Sequence, residues 1–198
     1  MTLIELLTPT PSTTLRFFRP DDVGGRTPWL ILIRDGRLQR LHGDVAMAAG
    51  DTLDPELRAA SLGLAYPSLV ATDSNATVAV SGLAAAWVYC GGEPPPFEAV
   101  YAEGRKKPRL GEEGAIRSMR NLGSETRPIS NIFITTLERT AIEVARFHPR
   151  PLALPVISSL VAAGADLAAA RALLNRSLRV PGRSMASNTL AIAAQTAL

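Results

Sequence analysis

The stretch that most constrains this chain is residues 26–47, RTPWLILIRDGRLQRLHGDVAM. Its apolar run closes into about three helical turns with its flanks, and Asp35-Gly36 then breaks it. Arg37, Gln39, Arg40 and His42 come next on short segments, and a second break, His42-Gly43-Asp44, precedes the small apolar Val45-Ala46-Met47. Thr27 is the expected N-cap, with Pro28 at the first helical position. The spacing turns Trp29, Leu30, Leu32 and Ile33 inward and leaves Arg26, Arg34 and Arg37 outside. A helix, a tight turn and two short strands carrying basic residues is the outline of a winged helix-turn-helix.

If that outline holds, the candidate contacts to double-stranded DNA are Arg26, Thr27, Arg34, Arg37, Gln39, Arg40 and His42. Arginine neutralises phosphates and pairs bidentately with guanine, and Gln39 has the amide needed for adenine. The same pattern also fits a solvated basic face, because Asp35 and Asp44 sit among the cations. A second basic cluster, Arg105, Lys106, Lys107 and Arg109, could grip phosphate or an acidic partner, or simply solubilise a hairpin tip.

Around the head the chain is punctuated. A short apolar segment at 3–7 ends at Thr-Pro-Thr-Pro, Ser12-Thr13-Thr14 can cap the segment at 15–19, and Pro20-Asp21-Asp22 offers a helix start before Gly24-Gly25. The reading is α+β, with a winged helix-turn-helix over residues 12–50 and a mixed α/β body over 51–198 that ends in helices. In the body, Asp54-Pro55 starts a helix carrying Leu57, Ala60 and Leu64, and Pro67 stops it. Leu69-Val70-Ala71 reads as strand, 73–75 as loop, and Ser81 as the cap of an alanine-rich run. Gly91-Gly92-Glu93-Pro94-Pro95-Pro96 is the strongest break. Strand-like text lies beyond it at 97–101 and 115–122, and residues 129–136 read as one further strand. Residues 137–146 read as an amphipathic helix with Leu137, Ala141, Val144 and Ala145 on one side. Helices at 154–163, at 166–175 capped by Asp166, and at 187–197 complete the chain. The last is almost uncharged, so a partner or a continuation of the chain is expected to cover it.

With 198 residues, 46% of them hydrophobic and 20% charged, the chain can build a sizeable core. A net charge of +3 permits nucleic acid without requiring it. The lone cysteine, Cys90, allows no internal disulfide and has no thiol or histidine partner for a metal. His42 and His148, the two histidines, form no metal-binding or catalytic spacing, and no phosphate loop, serine elbow or dinucleotide fingerprint occurs. The expectation is therefore a protein that is not an enzyme and has no metal or cofactor. Without a signal peptide or membrane-spanning run, a cytoplasmic setting is expected.

Three blocks carry a resemblance. Residues 36–45, GRLQRLHGDV, resemble the "GRL.R...G.Y" wing of AbiEi-type antitoxins from type IV (abortive infection) toxin–antitoxin systems. Residues 80–87, VSGLAAAW, stand for that family's "S..SAA...G" segment. Residues 135–146, TTLERTAIEVAR, resemble its "TT..RTA.D.AR" signature, with Glu143 where Asp is usual. Asp44 and Val45 also depart from the wing pattern. The resemblance implies a transcriptional regulator that represses its own operon and counteracts a nucleotidyltransferase-type toxin without a stable complex. It also implies that 135–146 serves the fold, through a Thr-capped helix and bonds from Arg139 to its neighbourhood. Many relatives continue into a nuclease-like domain, for which no counterpart is expected here. The alternative reading is a non-enzymatic protein-interaction module with a vestigial winged helix.

Overall fold

The computed structural model describes residues 17–71, 76–108, 114–176 and 181–196. The segment at 3–7, the caps at 12–14, the loop at 73–75 and Arg109 lie outside these. The fold is α+β with seven α-helices and two sheets among the described residues, and its C-terminal part is helical. The chain divides into two compact units, Met1–Asp51 and Thr52–Leu198.

In the first unit, β1 (Phe17–Phe18) leads into a 3-10 turn, Pro20–Val23, then α1 (Arg26–Arg34), β2 (Leu38–Arg40) and β3 (Ala46–Ala48). Asp22 Oδ2 accepts the Arg19 N–H at 2.7 Å and anchors the 3-10 turn. The N-cap of α1 is Gly25 rather than Thr27, because its backbone (φ 108°, ψ −179°) is open only to glycine. At the other end Gly36 is left-handed (φ 66°). There Arg37 N–H reaches Leu32 O at 2.9 Å and Gly36 N–H reaches Ile33 O at 3.0 Å. That pair of bonds is a Schellman stop, which needs a residue that tolerates positive φ. The antiparallel strands run in the order β1-β3-β2, with Gln39 opposite Met47 and Phe17 opposite Met47 from the other side.

The small core of this unit joins Trp29, Leu38 and Ala46, with Phe18, Val23, Leu32 and Ile33 against them. Leu30 and Ile31 are 48% and 43% exposed. Leu30 was expected inside, but a nine-residue helix lying on a three-stranded sheet has room to bury only one stripe. That stripe is 28, 29, 32 and 33; residues 26, 27, 30, 31 and 34 form the outer one.

The second unit is built on a five-stranded sheet, order β6-β5-β4-β8-β7. These strands are β4 (Val78–Val80), β5 (Glu98–Ala102), β6 (Ala115–Met119), β7 (Thr126–Ile129) and β8 (Ile132–Thr135). β4 runs antiparallel to β5 and parallel to β8. Residues 129–136, read as one strand, are in fact the turn and second arm of the β7–β8 hairpin, which pivots on left-handed Ser130 (φ 53°). Leu69 closes a 3-10 turn and Val70 makes only an isolated bridge to Ile132, so 69–71 is not a strand.

α2 (Pro55–Ala65) is capped by Asp54, whose carboxylate accepts the Leu57 N–H at 2.8 Å. α3 (Gly82–Cys90) starts at Ser81, but no capping bond from that hydroxyl forms. Five further residues of α3 beyond Gly82 are buried, so its alanines serve close packing. α4 (Leu137–Phe147), α5 (Arg150–Ala162), α6 (Leu167–Arg176) and α7 (Arg183–Thr196) complete the unit. Thr136 caps α4 and Asp166 caps α6 by accepting the Ala168 and Ala169 N–H groups.

α4 is the axis of this unit, and residues 139–146 are buried on every side. Ala141, Ile142, Val144 and Ala145 join Ile157, Leu160, Leu174 and Leu190 from the surrounding helices. The amphipathic pattern was real, but its polar side also faces inward. α7 buries Ala186, Thr189, Leu190 and Ala193 within this same unit. A smaller cluster, Ala79, Val100, Met119 and Leu122, packs separately at the sheet. No single described helix is long and apolar enough to cross a membrane.

Candidate functional site

Of the head residues singled out by sequence, Arg26, Thr27, Arg34, Arg37, Gln39 and Arg40 are exposed. Their electrostatic states differ. Arg26 is held by Asp44 at 3.0 Å and Arg34 by Asp35 at 2.9 Å, both as exposed ion pairs. Such pairs contribute about 0–1 kcal/mol, yet each places a carboxylate where a phosphate would need to sit. Arg37 and Arg40 have no carboxylate partner among the described residues. The Arg40 guanidinium lies 5.6 Å from the Trp29 ring centroid and donates from Nε to Gly43 O at 2.9 Å. It is thus oriented by an aromatic face and one backbone acceptor while remaining exposed.

Arg37, Gln39 and Arg40 therefore form the unneutralised part of the head, along and beside β2, which is an edge of its sheet. All three residues were among the contacts expected from the sequence, which did not separate them from the paired Arg26 and Arg34. Asp35 and Asp44, noted in the sequence among the cations, make the separation by pairing with Arg34 and Arg26.

His42 does not join this surface. It is 5% exposed, and burial pushes its imidazole down to about 4, so it is neutral near pH 7. Charge distribution sharpens the picture: residues 1–51 hold six arginines and six acidic residues, so the net +3 of the chain resides in 52–198.

The body holds two charge clusters, the first buried and the second half-buried around Glu98. In the first, Arg139 Nη1 binds Glu125 at 2.8 Å, Arg139 Nη2 binds Glu143, and Arg146 Nη1 binds Glu143 at 3.0 Å. Arg146 Nε also donates to Pro181 O at 3.1 Å, tying α4 to the segment before α7. Burial raises the Glu125 carboxyl against the pull of Arg139. This cluster crosses the core of the unit and has the geometry of a structural brace. The bonds expected of Arg139 are found in it.

In the second cluster Glu98, at the start of β5, lies against Gly82, where any Cβ would run into its carboxylate. Its Oε1 is 2.9 Å from His148 Nε2 and its Oε2 3.6 Å from Arg117 Nη1. Arg117 in turn covers the Phe147 ring at 4.0 Å. No spacing in the sequence joins Glu98 to His148, since only the tertiary fold brings the end of α4 beside the start of β5.

Arg105, Lys106 and Lys107 are exposed just beyond β5 and have no ion-pair partner among the described residues. Arg120, by contrast, is taken by Glu103 at 2.6 Å. Cys90 is exposed, and burial of its surroundings raises its thiol against the opposing pull of Arg58. Among the described residues no group of three or more His, Cys, Asp or Glu could hold a metal ion. No family model matches the chain, and no curated protein matches it.

Proposed function

We propose that the chain is a DNA-binding transcriptional regulator of the AbiEi antitoxin kind. In this reading its head is a winged helix, and it represses its own promoter and counteracts a nucleotidyltransferase-type toxin in the cytoplasm, without enzymatic activity of its own. One observation carries the reading. A helix ends in a glycine stop and leads straight into a β2–β3 hairpin whose edge strand bears Gln39 and Arg40, with Arg37 just before it and no carboxylate on either arginine. The strand order β1-β3-β2, with the first strand closing on the last, also suits a wing. The burial of residues 139–146 supports the 135–146 resemblance as a matter of fold rather than of ligand binding.

The contact sits on the wing side rather than deep in α1, and it is electrostatically modest. Two or three released phosphate counterions correspond to a slope of log K against log salt of about −2 to −3 per head. The test is binding of the purified chain to the DNA upstream of its own gene across a salt series. Arg40→Ala lowers affinity and flattens the slope by about one. Gln39→Ala relaxes preference at one base pair, at about 1–3 kcal/mol. No binding to that DNA at low salt overturns the reading.

A second reading has its own observation. Leu30 and Ile31 stand exposed at the middle of α1, between two arginines already neutralised. That suits a protein-interaction module with a vestigial winged helix. Association with a protein partner, together with no DNA affinity at any salt, favours it.

A further inference from the structure

We propose that the outer stripe of α1 is a contact between two copies of this chain, joined as an antiparallel helix pair about a two-fold axis at Leu30. The stripe is Arg26, Thr27, Leu30, Ile31 and Arg34, which share one helical face and are all exposed. Its centre is apolar: Leu30 and Ile31 are two of the five large hydrophobic side chains exposed among the described residues, and they are adjacent. Its ends are matched. Arg26 and Arg34 lie four residues to either side of Leu30, and each has an acidic residue at hand, Asp44 at 3.0 Å and Asp35 at 2.9 Å.

Charge complementarity identifies the occupant. A strongly charged surface, acidic or basic, would leave half of these ions opposed by like charge. A two-fold pairing places the Arg26–Asp44 end of one copy against the Arg34–Asp35 end of the other. Each end of the contact then holds two cations and two anions, free to exchange partners as Arg26 with Asp35 and Arg34 with Asp44 across the axis. A self-complementary surface of this kind is what an isologous dimer requires. The apolar centre supplies the burial, and a two-fold axis across the helix at Leu30 makes the pair antiparallel. Nine residues of helix span only about 13 Å, so the contact belongs to the small, weak and reversible class. It also leaves Arg37, Gln39 and Arg40 outside the contact, so the dimer presents two copies of the β2 surface.

The inference does not depend on DNA contact through β2. Sedimentation of the full chain from about 10 μM to about 1 mM, the range of weak contacts, shows dimer growing with concentration. Ile31→Asp weakens that association at least about tenfold while the circular dichroism melt stays unchanged, because the position is on the surface. Leu30→Cys on a Cys90→Ser background, which removes the native exposed thiol, closes a symmetric disulfide under mild oxidation. Arg40→Ala leaves association unchanged even where it lowers DNA affinity, so failure of one proposal is separate from failure of the other. A chain that stays monomeric throughout overturns the inference. So does association that survives Ile31→Asp. A Leu30→Cys thiol that is slow to react with a thiol reagent in dilute monomer also overturns it, because the chain's own residues then cover the stripe.

Discussion

The two units of this molecule use the same ionic residues in opposite ways. In the head, Arg26–Asp44 and Arg34–Asp35 are exposed pairs over a core that centres on one tryptophan. In the body, Glu125, Arg139, Glu143 and Arg146 are buried along the central helix. An exposed pair trades contacts with water for contacts with a neighbour at little net change. A buried charge has already given up its hydration, so its partners become indispensable even where the assembled cluster adds little stability over an apolar one. Charge pattern alone therefore says nothing about cost until burial is known. Head pairs are available for exchange with a ligand or a second copy, whereas body pairs are committed to the fold.

Three measurements put that contrast at risk. The largest effect is expected for Glu143→Ala, which leaves Arg139 and Arg146 buried beside an empty position. Denaturant unfolding should register a loss of about 3–5 kcal/mol in the body. A loss below about 1 kcal/mol would mean that the network behaves like a surface pair.

Next comes acid sensitivity of the head. The His42 pKa falls from 6.5 to about 4 on folding, so the unfolded chain takes up the proton first. The stabilising difference is present in full above pH 6.5 and is lost as pH drops through 4. At one pKa unit per 1.36 kcal/mol, the total is about 3 kcal/mol. A proton NMR titration of the imidazoles checks the cause directly: a His42 signal that titrates close to 6.5 would contradict its burial. The smallest effect is expected for Asp44→Ala, which costs the head under about 1 kcal/mol yet frees Arg26. Its thermal melt should barely move.

Much of the fold was legible in local chemistry. The Asp54 and Asp166 caps, the Gly36 stop, the Pro67 terminator and the helix from 137 all arise from preferences acting within a turn or two. Errors arose where longer-range packing decided. Residues 129–136 are rich in β-branched and aromatic types and read as one strand, and the pairing of β7 with β8 puts the bend at Ser130 and Asn131. Thr27 is a good cap residue, but the chain turned at Gly25 because its backbone conformation admits glycine alone. Leu30 fell on the outer stripe because a sheet that small covers one side of a helix.

The candidate site divides in the same way. Residue types, their helical and strand spacing, and so the existence of a basic helix–turn–hairpin near the N-terminus were already written in the linear chain. Those are local properties, set by backbone sterics and by side chains a few positions apart. Folding in three dimensions settled which cations remain unneutralised, that His42 is inside, that Glu98 meets His148, and that the polar face of α4 is buried. Each of these depends on desolvation and on partners many residues distant, and neither quantity exists until the chain has closed on itself.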